Sequence, residues 1–255
     1  MGDMDGSVTV ITGASGGLGA KLYALVSARG SFPIGAARSV DKLASLKQRF
    51  GGDFVSYDAT DPSSASRLLD AAYARVDALG ASRLYVVCAA AQHEDPTIHE
   101  DGSYSTVDSI RSLHGQEYID FLTQLNREDP KRLLAGLSGV VDSRFLFISS
   151  QAADASFWEL GNSLYGRHKK SVEDVLLSYE GSASVLAARY PFFDTPMAHE
   201  MYDQLVSRGE SLPPKEQAIA SLDVVAESTV DLLVRGCSER FSLVRGDVVF
   251  GFEGS

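Results

Sequence analysis

Residues 8–19 read Val8-Thr9-Val10-Ile11-Thr12-Gly13-Ala14-Ser15-Gly16-Gly17-Leu18-Gly19. The apolar first half is typical of a buried β-strand, and the residues from Leu18 onward follow the pattern of a helix. A glycine-rich turn at this junction lets backbone N–H groups approach a pyrophosphate, and the helix N-terminus adds partial positive charge. Tight turns also need glycine for conformational reasons, so it is the position of this turn that favours a dinucleotide site. The residues predicted to bind a cofactor here are Gly13, Ser15, Gly16, Gly17, Leu18 and Gly19.

Short apolar runs alternate with helical patterns along the rest of the chain. The runs at 84–88 and 145–148 are almost continuously apolar, which is typical of strands covered on both faces. Strands that alternate with helices imply right-handed crossovers, so we predict an α/β fold: a single Rossmann-type, doubly wound parallel sheet with helices on both faces. No repeat or linker divides the 255 residues, and we therefore predict one domain over 1–255.

Two segments depart from this alternation and are predicted to follow the carboxyl ends of strands. Residues 92–106 are polar and are expected to form a loop, and residues 196–216 are expected to form a short helix with flexible ends. Ligands of open α/β sheets bind at the carboxyl ends of the strands. We predict that 196–216 is a lid over a substrate pocket, and the alternative is a surface excursion without a role.

Composition excludes several classes of function. With 23 Lys and Arg against 34 Asp and Glu, the net charge is −11, which argues against nucleic acid as a partner. No apolar run approaches the ~18 residues of a membrane span. The two cysteines, Cys88 and Cys237, lack the spacing of metal ligands or of a disulfide framework, so we predict no metal. The acidic start lacks a secretory signal, and a cytoplasmic protein is the expectation.

The end of the second strand bears on the choice of nucleotide. An NAD site would carry a carboxylate there for the ribose 2′-OH, whereas this chain has Arg38-Ser39. Arg38 can grip a 2′-phosphate with two donors and favours NADP(H); the alternative is a solvated surface arginine. The third strand ends at Asp58-Ala59, where Asp58 could accept from the adenine amino group or belong to the helix start at Asp61-Pro62.

A second group of residues carries acid–base chemistry. Tyr165 and Lys169 are four residues apart at the start of a predicted helix, so their side chains share one face. A nearby Lys cation favours the phenolate and moves the pKa of the phenol towards the working range. Ser150 ends a buried strand upstream, and its hydroxyl could donate to a substrate carbonyl oxygen as that oxygen gains negative charge.

Together these residues resemble the short-chain dehydrogenase/reductase family over essentially the whole chain. The matching features, in order, are Thr12-Gly13 with Gly17-Leu18-Gly19, Asp58, Ser150, Tyr165-x-x-x-Lys169 and Asp194-Thr195-Pro196-Met197. The resemblance implies that Tyr165 is the general acid/base, that Lys169 binds the nicotinamide ribose, and that Ser150 holds the substrate oxygen. It further implies that Thr195 contacts the nicotinamide carboxamide, and that the protein forms a homodimer or homotetramer.

Several positions depart from the family pattern. Cys88-Ala89-Ala90-Ala91 stands where the family usually has Asn-Asn-Ala-Gly, and by resemblance Ala89, Ala90 and Ala91 contact the cofactor. The family's catalytic Asn, which holds a water in a proton relay from the Lys, aligns best with Ser112. The family's Pro-Gly after the sixth strand reads Tyr190-Pro191 here.

The remaining expectations concern the substrate and the reaction. Phe157-Trp158 lies between Ser150 and Tyr165, and together with Phe192 it is predicted to contact an apolar or cyclic substrate. We therefore predict an NADP(H)-dependent oxidoreductase that interconverts a carbonyl and an alcohol on a small molecule. The alternative is a protein of the same fold that binds NADP(H) without redox turnover, or that catalyses a non-redox biosynthetic step in the same pocket.

Overall fold

The computed structural model of the chain describes residues 2–92, 107–137, 141–153, 164–190, 193–194, 196–207, 209, 214–235, 243–245 and 248–249. Its strands are β1 (Ser7–Thr12), β2 (Phe32–Ala37), β3 (Asp53–Ser56), β4 (Arg83–Cys88), β5 (Asp142–Ser150), β6 (Ser184–Tyr190), β7 (Leu243–Arg245) and β8 (Val248–Val249). Its helices are α1 (Gly17–Ala28), α2 (Val40–Phe50), α3 (Pro62–Leu79), α4 (Val107–His114), α5 (Gln116–Thr123), α6 (Asp129–Ala135), α7 (Leu164–Leu177), α8 (Pro196–Ser207), α9 (Lys215–Ala218) and α10 (Leu222–Arg235). A π-helical turn, Gln124–Glu128, joins α5 to α6.

The described strands form one sheet in the order β3-β2-β1-β4-β5-β6-β7-β8. Strands β1 to β7 run parallel to their neighbours, and the short β8 runs antiparallel to β7. The predicted α/β fold, a Rossmann-type doubly wound parallel sheet, is confirmed, with β8 as an addition that the sequence did not indicate. The order reverses between β1 and β4, which opens a crevice at their carboxyl ends.

Alternate residues of the central strands enter two apolar cores, one on each face of the sheet. On β4, Val86 belongs to one core and Val87 to the other, and Phe147 and Ile148 divide in the same way on β5. Helices α3, α6 and α7 cover the first core, and α1, α2 and α10 cover the second. The almost continuous apolar runs are therefore explained, because each of these strands must fill both faces.

The two segments expected to break the alternation are only partly described. Residues 93–106 lie outside the described residues, whereas 196–207 forms helix α8, in which Ala198 and Tyr202 are buried. Lys215 then joins Asp203 of α8 through Nζ–Oδ distances of 2.7 and 2.8 Å. A lid over 196–216 and a single domain over 1–255 remain predictions. None of the helices in the described ranges has the length and apolar character to cross a membrane.

Candidate active site

The glycine turn between β1 and α1 brings three backbone segments into close contact. Gly13 has a φ of +71°, and a Cβ added to it would lie 2.9 Å from the backbone N of Ala90, beyond the end of β4. A Cβ on Gly19 would lie 2.2 Å from the carbonyl oxygen of Gly13, far inside van der Waals contact. Glycine at both positions is therefore a steric requirement of the way α1 packs on the turn.

A cavity of about 510 Å³ opens over this turn, at the point where the strand order reverses. The predicted cofactor residues that line it are Gly13, Ser15, Gly16, Arg38, Ser39, Asp58, Ala59, Ala89, Ala90 and Ala91. Gly17, Leu18 and Gly19 lie behind it in the first turn of α1. The cavity is also lined by residues that the sequence did not single out: Ala36, Ala37, Tyr57, Thr60, Gln92, Phe121 and Leu125.

Two polar side chains stand at the rim of this cavity. Arg38 is exposed, and its guanidinium carbon lies 6.0 Å from the centre of the Phe121 ring. Asp58 accepts hydrogen bonds at Oδ1 from the backbone N–H of Thr60 (2.9 Å) and from its hydroxyl (2.8 Å). The cap of α3 is made instead by Asp61, which accepts from Ser63 N–H at 2.9 Å. Asp58 thus forms its own turn and still lines the cavity.

The segment that departs from the family pattern, Cys88 to Ala91, lines the cavity without filling it. Cys88 is buried at the end of β4, and burial raises the pKa of its thiol well above the ordinary value, so the thiol is neutral. The backbone N–H of Ala90 donates to the hydroxyl of Thr12 at 3.3 Å. Ala91 is exposed on the open side, where its methyl group meets solvent. The three alanines therefore leave space beside the glycine turn.

Ser150 and the residue that Lys169 binds, Ile148, both lie at the carboxyl end of β5. Ser150 is the last residue of β5, and its Oγ accepts from the backbone N–H of Ala152 at 3.2 Å. Lys169 projects from α7, is fully buried, and donates through Nζ to the carbonyl oxygen of Ile148 at 2.7 Å. This bond fixes one turn of α7 against the strand end that carries Ser150.

The same ammonium group also faces two aromatic rings. Lys169 Nζ lies 4.4 Å from the ring centre of Phe147 and 5.3 Å from that of Tyr165, which is half-buried one turn earlier. The predicted pairing of Tyr165 and Lys169 on one face of α7 is thus present. Burial lowers the pKa of Lys169 to about 7, with Cys88 and Glu173 acting in the opposite direction.

Ser112 is the residue that the sequence predicts for the relay position. It is exposed on α4, and its hydroxyl donates to the carbonyl oxygen of Asp108 in the same helix at 2.8 Å. Asn126, in the π-helical turn, is buried instead. Its amide donates to Gln92 O at 2.6 Å and accepts from Gln92 N–H at 3.1 Å, just beyond the Cys88–Ala91 segment.

The role of Ser112 as the relay residue stays a prediction, and the structure adds a second candidate for that role, the buried Asn126. The sequence signal that could have found it is an Asn inside an otherwise amphipathic helical stretch. That signal was missed because residues 92–106 precede this stretch, and the sequence does not determine the path of the chain through them.

His168 lies between Tyr165 and Lys169 in sequence but points elsewhere. It is buried, and its Nε2 lies 3.3 Å from the hydroxyl of Thr123. Burial and the neighbouring cations Arg127 and Arg167 lower its pKa to about 4, so the ring is neutral at physiological pH. A buried, neutral ring in contact with Thr123 is typical of a structural histidine.

Beneath the cavity, a buried carboxylic acid adds a pH dependence to stability. Asp129 accepts a short hydrogen bond from the hydroxyl of Tyr57, and burial raises the pKa of Asp129 to about 6 from 3.8. The folded state holds this proton more tightly than the unfolded chain does. The contribution of protonated Asp129 to the free energy of unfolding is therefore fully present below about pH 4. It is lost as the pH rises through about 6.

Asp129→Asn should therefore flatten the pH dependence of unfolding. The quantity to compare is the melting temperature of the variant minus that of the wild type. We expect this difference to be roughly 5 °C larger at pH 8 than at pH 4. Circular dichroism melts at both pH values measure this difference. The exposed Asp108→Asn serves as the control, and a difference equal to that of the control would contradict the assignment.

Four residues predicted from the sequence lie outside the described residues. They are the cofactor residue Thr195 and the substrate-pocket residues Phe157, Trp158 and Phe192. Their roles remain predictions.

Comparison with known proteins agrees with the fold. No family model matches the chain. An uncharacterized oxidoreductase of Staphylococcus saprophyticus is 36% identical over 85 residues, a segment that covers 31% of this chain and 35% of that relative. The chain thus aligns with about a third of the length of the curated relative.

Solved structures match almost the whole chain at low identity. A short-chain dehydrogenase/reductase described as a glucose/ribitol dehydrogenase from Brucella melitensis has a TM-score of 0.73 at 14% identity, covering 98% of this chain and 99% of that one. The NADPH-dependent 3-quinuclidinone reductase of Rhodotorula rubra has a TM-score of 0.68 at 17% identity, covering 96% and 91%. An alcohol dehydrogenase of Thermococcus sibiricus, complexed with 5-hydroxy-NADP, has a TM-score of 0.68 at 18% identity, covering 94% and 95%. The resemblance to short-chain dehydrogenases/reductases is confirmed, and at these identities it establishes the fold.

Proposed function

We propose that the protein is an NADP(H)-dependent oxidoreductase that interconverts a carbonyl and an alcohol on an apolar or cyclic small molecule. One observation carries the proposal: Lys169 is anchored to the end of β5 beside Ser150, with its ammonium 5.3 Å from the ring of Tyr165. Strand β5, which carries Ser150, belongs to the same sheet as β1 and lies two strands away from it. A protein without acid–base chemistry would have no need of a fully buried ammonium at this point.

The residues around the cavity fit a dinucleotide. Gly13, Ser15 and Gly16 line the cavity where α1 begins, so N–H groups at the start of this helix could bind a pyrophosphate. Arg38 and the hydroxyl of Ser39 stand at the end of β2, where a ribose 2′-phosphate would be held. Asp58 and Phe121 border the part of the cavity that would hold the adenine.

In the reducing direction, the proposed roles follow from the chemistry of each side chain. A nicotinamide held in this cavity would supply the hydride for the carbonyl carbon. Ser150 and Tyr165 would donate hydrogen bonds to the substrate carbonyl oxygen, and Tyr165 would deliver its phenolic proton to that oxygen as negative charge develops. Lys169 would lower the pKa of the phenol through its positive charge, and Asn126 would take the part that the family gives to its relay Asn.

Arg38→Ala tests the choice of nucleotide. Loss of two charge-assisted hydrogen bonds should weaken NADPH binding about 10- to 100-fold and leave NADH binding unchanged. A fluorescence titration with each nucleotide measures the two dissociation constants. The control is Arg49→Ala, which removes another exposed arginine from the end of α2. Wild-type preference for NADH would refute the assignment of Arg38.

The Cys88–Ala91 segment supports the second candidate function, in which NADP(H) binds without redox turnover or the pocket serves a non-redox step. Both amides of the family pattern are missing from this segment. NADPH oxidation coupled to reduction of any member of a panel of apolar and cyclic ketones would favour the reductase. Tight NADPH binding without turnover across that panel would favour the second candidate.

The cellular location, the oligomeric state and the partners of the protein are proposed as well. We propose a cytoplasmic homodimer or homotetramer that acts on a small molecule, with no metal and no nucleic-acid partner. Light scattering on the purified chain would give the oligomeric state.

A further inference from the structure

A buried ion pair lies directly behind the candidate active site, between α7, β5 and β6. Arg189 of β6 donates to Glu173 of α7 with two nitrogens, Nε at 2.8 Å and Nη2 at 2.5 Å. Ser149 of β5 donates to the same carboxylate at 2.6 Å. The exposed fractions of the three residues are 7% for Arg189, 1% for Glu173 and 2% for Ser149. Burying two charges costs several kcal/mol per ion, so the pair calls for an explanation.

Glu173 follows Lys169 by one helical turn, a spacing at which opposite charges normally pair. Lys170 and Asp174, each one residue further along α7, have the same spacing and form an ion pair of 2.5 Å on the exposed face of the helix. Among the described residues, Lys169 and Glu173 form no such pair, although burial strengthens their attraction. The ammonium donates to Ile148 O instead, and both carboxylate oxygens are held by Arg189.

We propose that Arg189, acting through Glu173, is a positioning residue for Lys169: by holding both carboxylate oxygens, it keeps Glu173 from capturing the ammonium, which is thereby left to face Tyr165. The expected effect of Arg189 on turnover rests on the proposed function. The expected effect of Arg189 on the titration of Lys169 does not, because the ion pair is present whatever the protein catalyses.

The other groups described near Lys169 are a thiol and two aromatic rings. Burial and the neighbouring Asp129 raise the pKa of the Cys88 thiol at the end of β4, so this thiol is neutral. Phe147 of β5 presents its ring face, and Tyr165 lies one turn earlier on α7. Among these groups, only Glu173 is a carboxylate on the same face of α7 as the ammonium, one turn away. Removing Arg189 would therefore leave Glu173 to pair with Lys169.

Arg189→Met tests the proposal without any substrate. The titration of Lys169 is followed by NMR in protein labelled with ¹³Cε-lysine, with the signal assigned from a Lys169→Met spectrum. We expect the midpoint to rise by about one pH unit in Arg189→Met, a tenfold change in proton affinity. It should return to the wild-type value in Arg189→Met/Glu173→Gln, which removes the freed carboxylate. An unchanged midpoint in Arg189→Met, or a double variant equal to the single one, would overturn the proposal.

Two further variants separate positioning from simple loss of structure. Arg144→Met removes an arginine of β5 that donates to the carbonyl oxygens of Leu233 and Val234, and it should not move the Lys169 titration. Arg189→Lys retains the charge but cannot grip both oxygens, so it should shift the midpoint in the same direction by a smaller amount. If Arg189→Met fails to fold, Arg189→Lys and the double variant decide the matter.

Turnover provides the second readout. In the alcohol-oxidising direction, an ammonium paired with Glu173 would no longer lower the pKa of Tyr165, because the carboxylate offsets its charge. The acid limb of the pH profile of Arg189→Met should therefore move up by about one unit, with kcat at pH 7 about tenfold lower. The double variant should regain most of this loss. If the wild type turns over no carbonyl or alcohol, the proposed function fails, and the NMR titration alone still accepts or rejects the role of Arg189.

Discussion

Replacing Tyr165 with phenylalanine is expected to lower turnover by at least about 100-fold while leaving NADPH binding within about twofold of the wild type. The substitution removes only the phenolic oxygen, which would otherwise deliver the proton to the substrate. The half-buried ring remains in contact with the Lys169 ammonium, 5.3 Å from its centre, so the packing of α7 on β5 is retained. Initial rates of NADPH oxidation with the best ketone of a screen, together with a fluorescence titration, give both quantities.

Tyr179→Phe is the matched control, because it removes a phenolic oxygen just beyond the end of the same helix. It should leave the rate unchanged. A Tyr165→Phe variant with nearly wild-type activity would rule out general acid catalysis by this residue and would favour the non-redox alternative.

Replacing Gly19 with alanine should give the second large effect. The new methyl group would lie 2.2 Å from the carbonyl oxygen of Gly13, so α1 or the glycine turn must shift. Overpacking of this kind costs typically about 1–3 kcal/mol, and we expect the melting temperature to fall by roughly 5–10 °C. NADPH affinity should fall by at least about 100-fold, because the shifted turn no longer presents its N–H groups to the pyrophosphate.

Gly16→Ala is a graded comparison at the same oxygen. Its methyl group would lie 3.3 Å from Gly13 O, a contact that small movements relieve. Melting temperatures from circular dichroism should therefore rank the wild type and Gly16→Ala close together, well above Gly19→Ala. Equal stability of the two variants would mean that the turn does not depend on the close approach of α1.

The fold was predictable because its signals are local. Strand β4 and strand β5 each carry an unbroken apolar run, and such runs identify strands that are covered on both faces. The glycine turn after β1 and the four-residue spacing of Tyr165 and Lys169 depend on positions close together in the chain. Local backbone geometry alone therefore decides which side chains share a face.

The choice between Ser112 and Asn126 was not predictable in the same way. Both residues lie in helical stretches, and neither pattern says which stretch packs under the end of β4. The structure adds Asn126 as a candidate because two hydrogen bonds join it to the backbone of Gln92, a residue far from it in sequence.

The amino-acid sequence by itself determined the sheet, the glycine turn and the chemical identity of the Tyr165 and Lys169 pair. Only the tertiary structure decided that Lys169 is fully buried against Ile148, that Phe121 borders the nucleotide cavity, and that Arg189 holds Glu173. The physical reason is that periodicity and turn chemistry act over a few residues. Burial, ion pairing and cavity walls depend instead on segments that meet only when α7, β5 and β6 pack together.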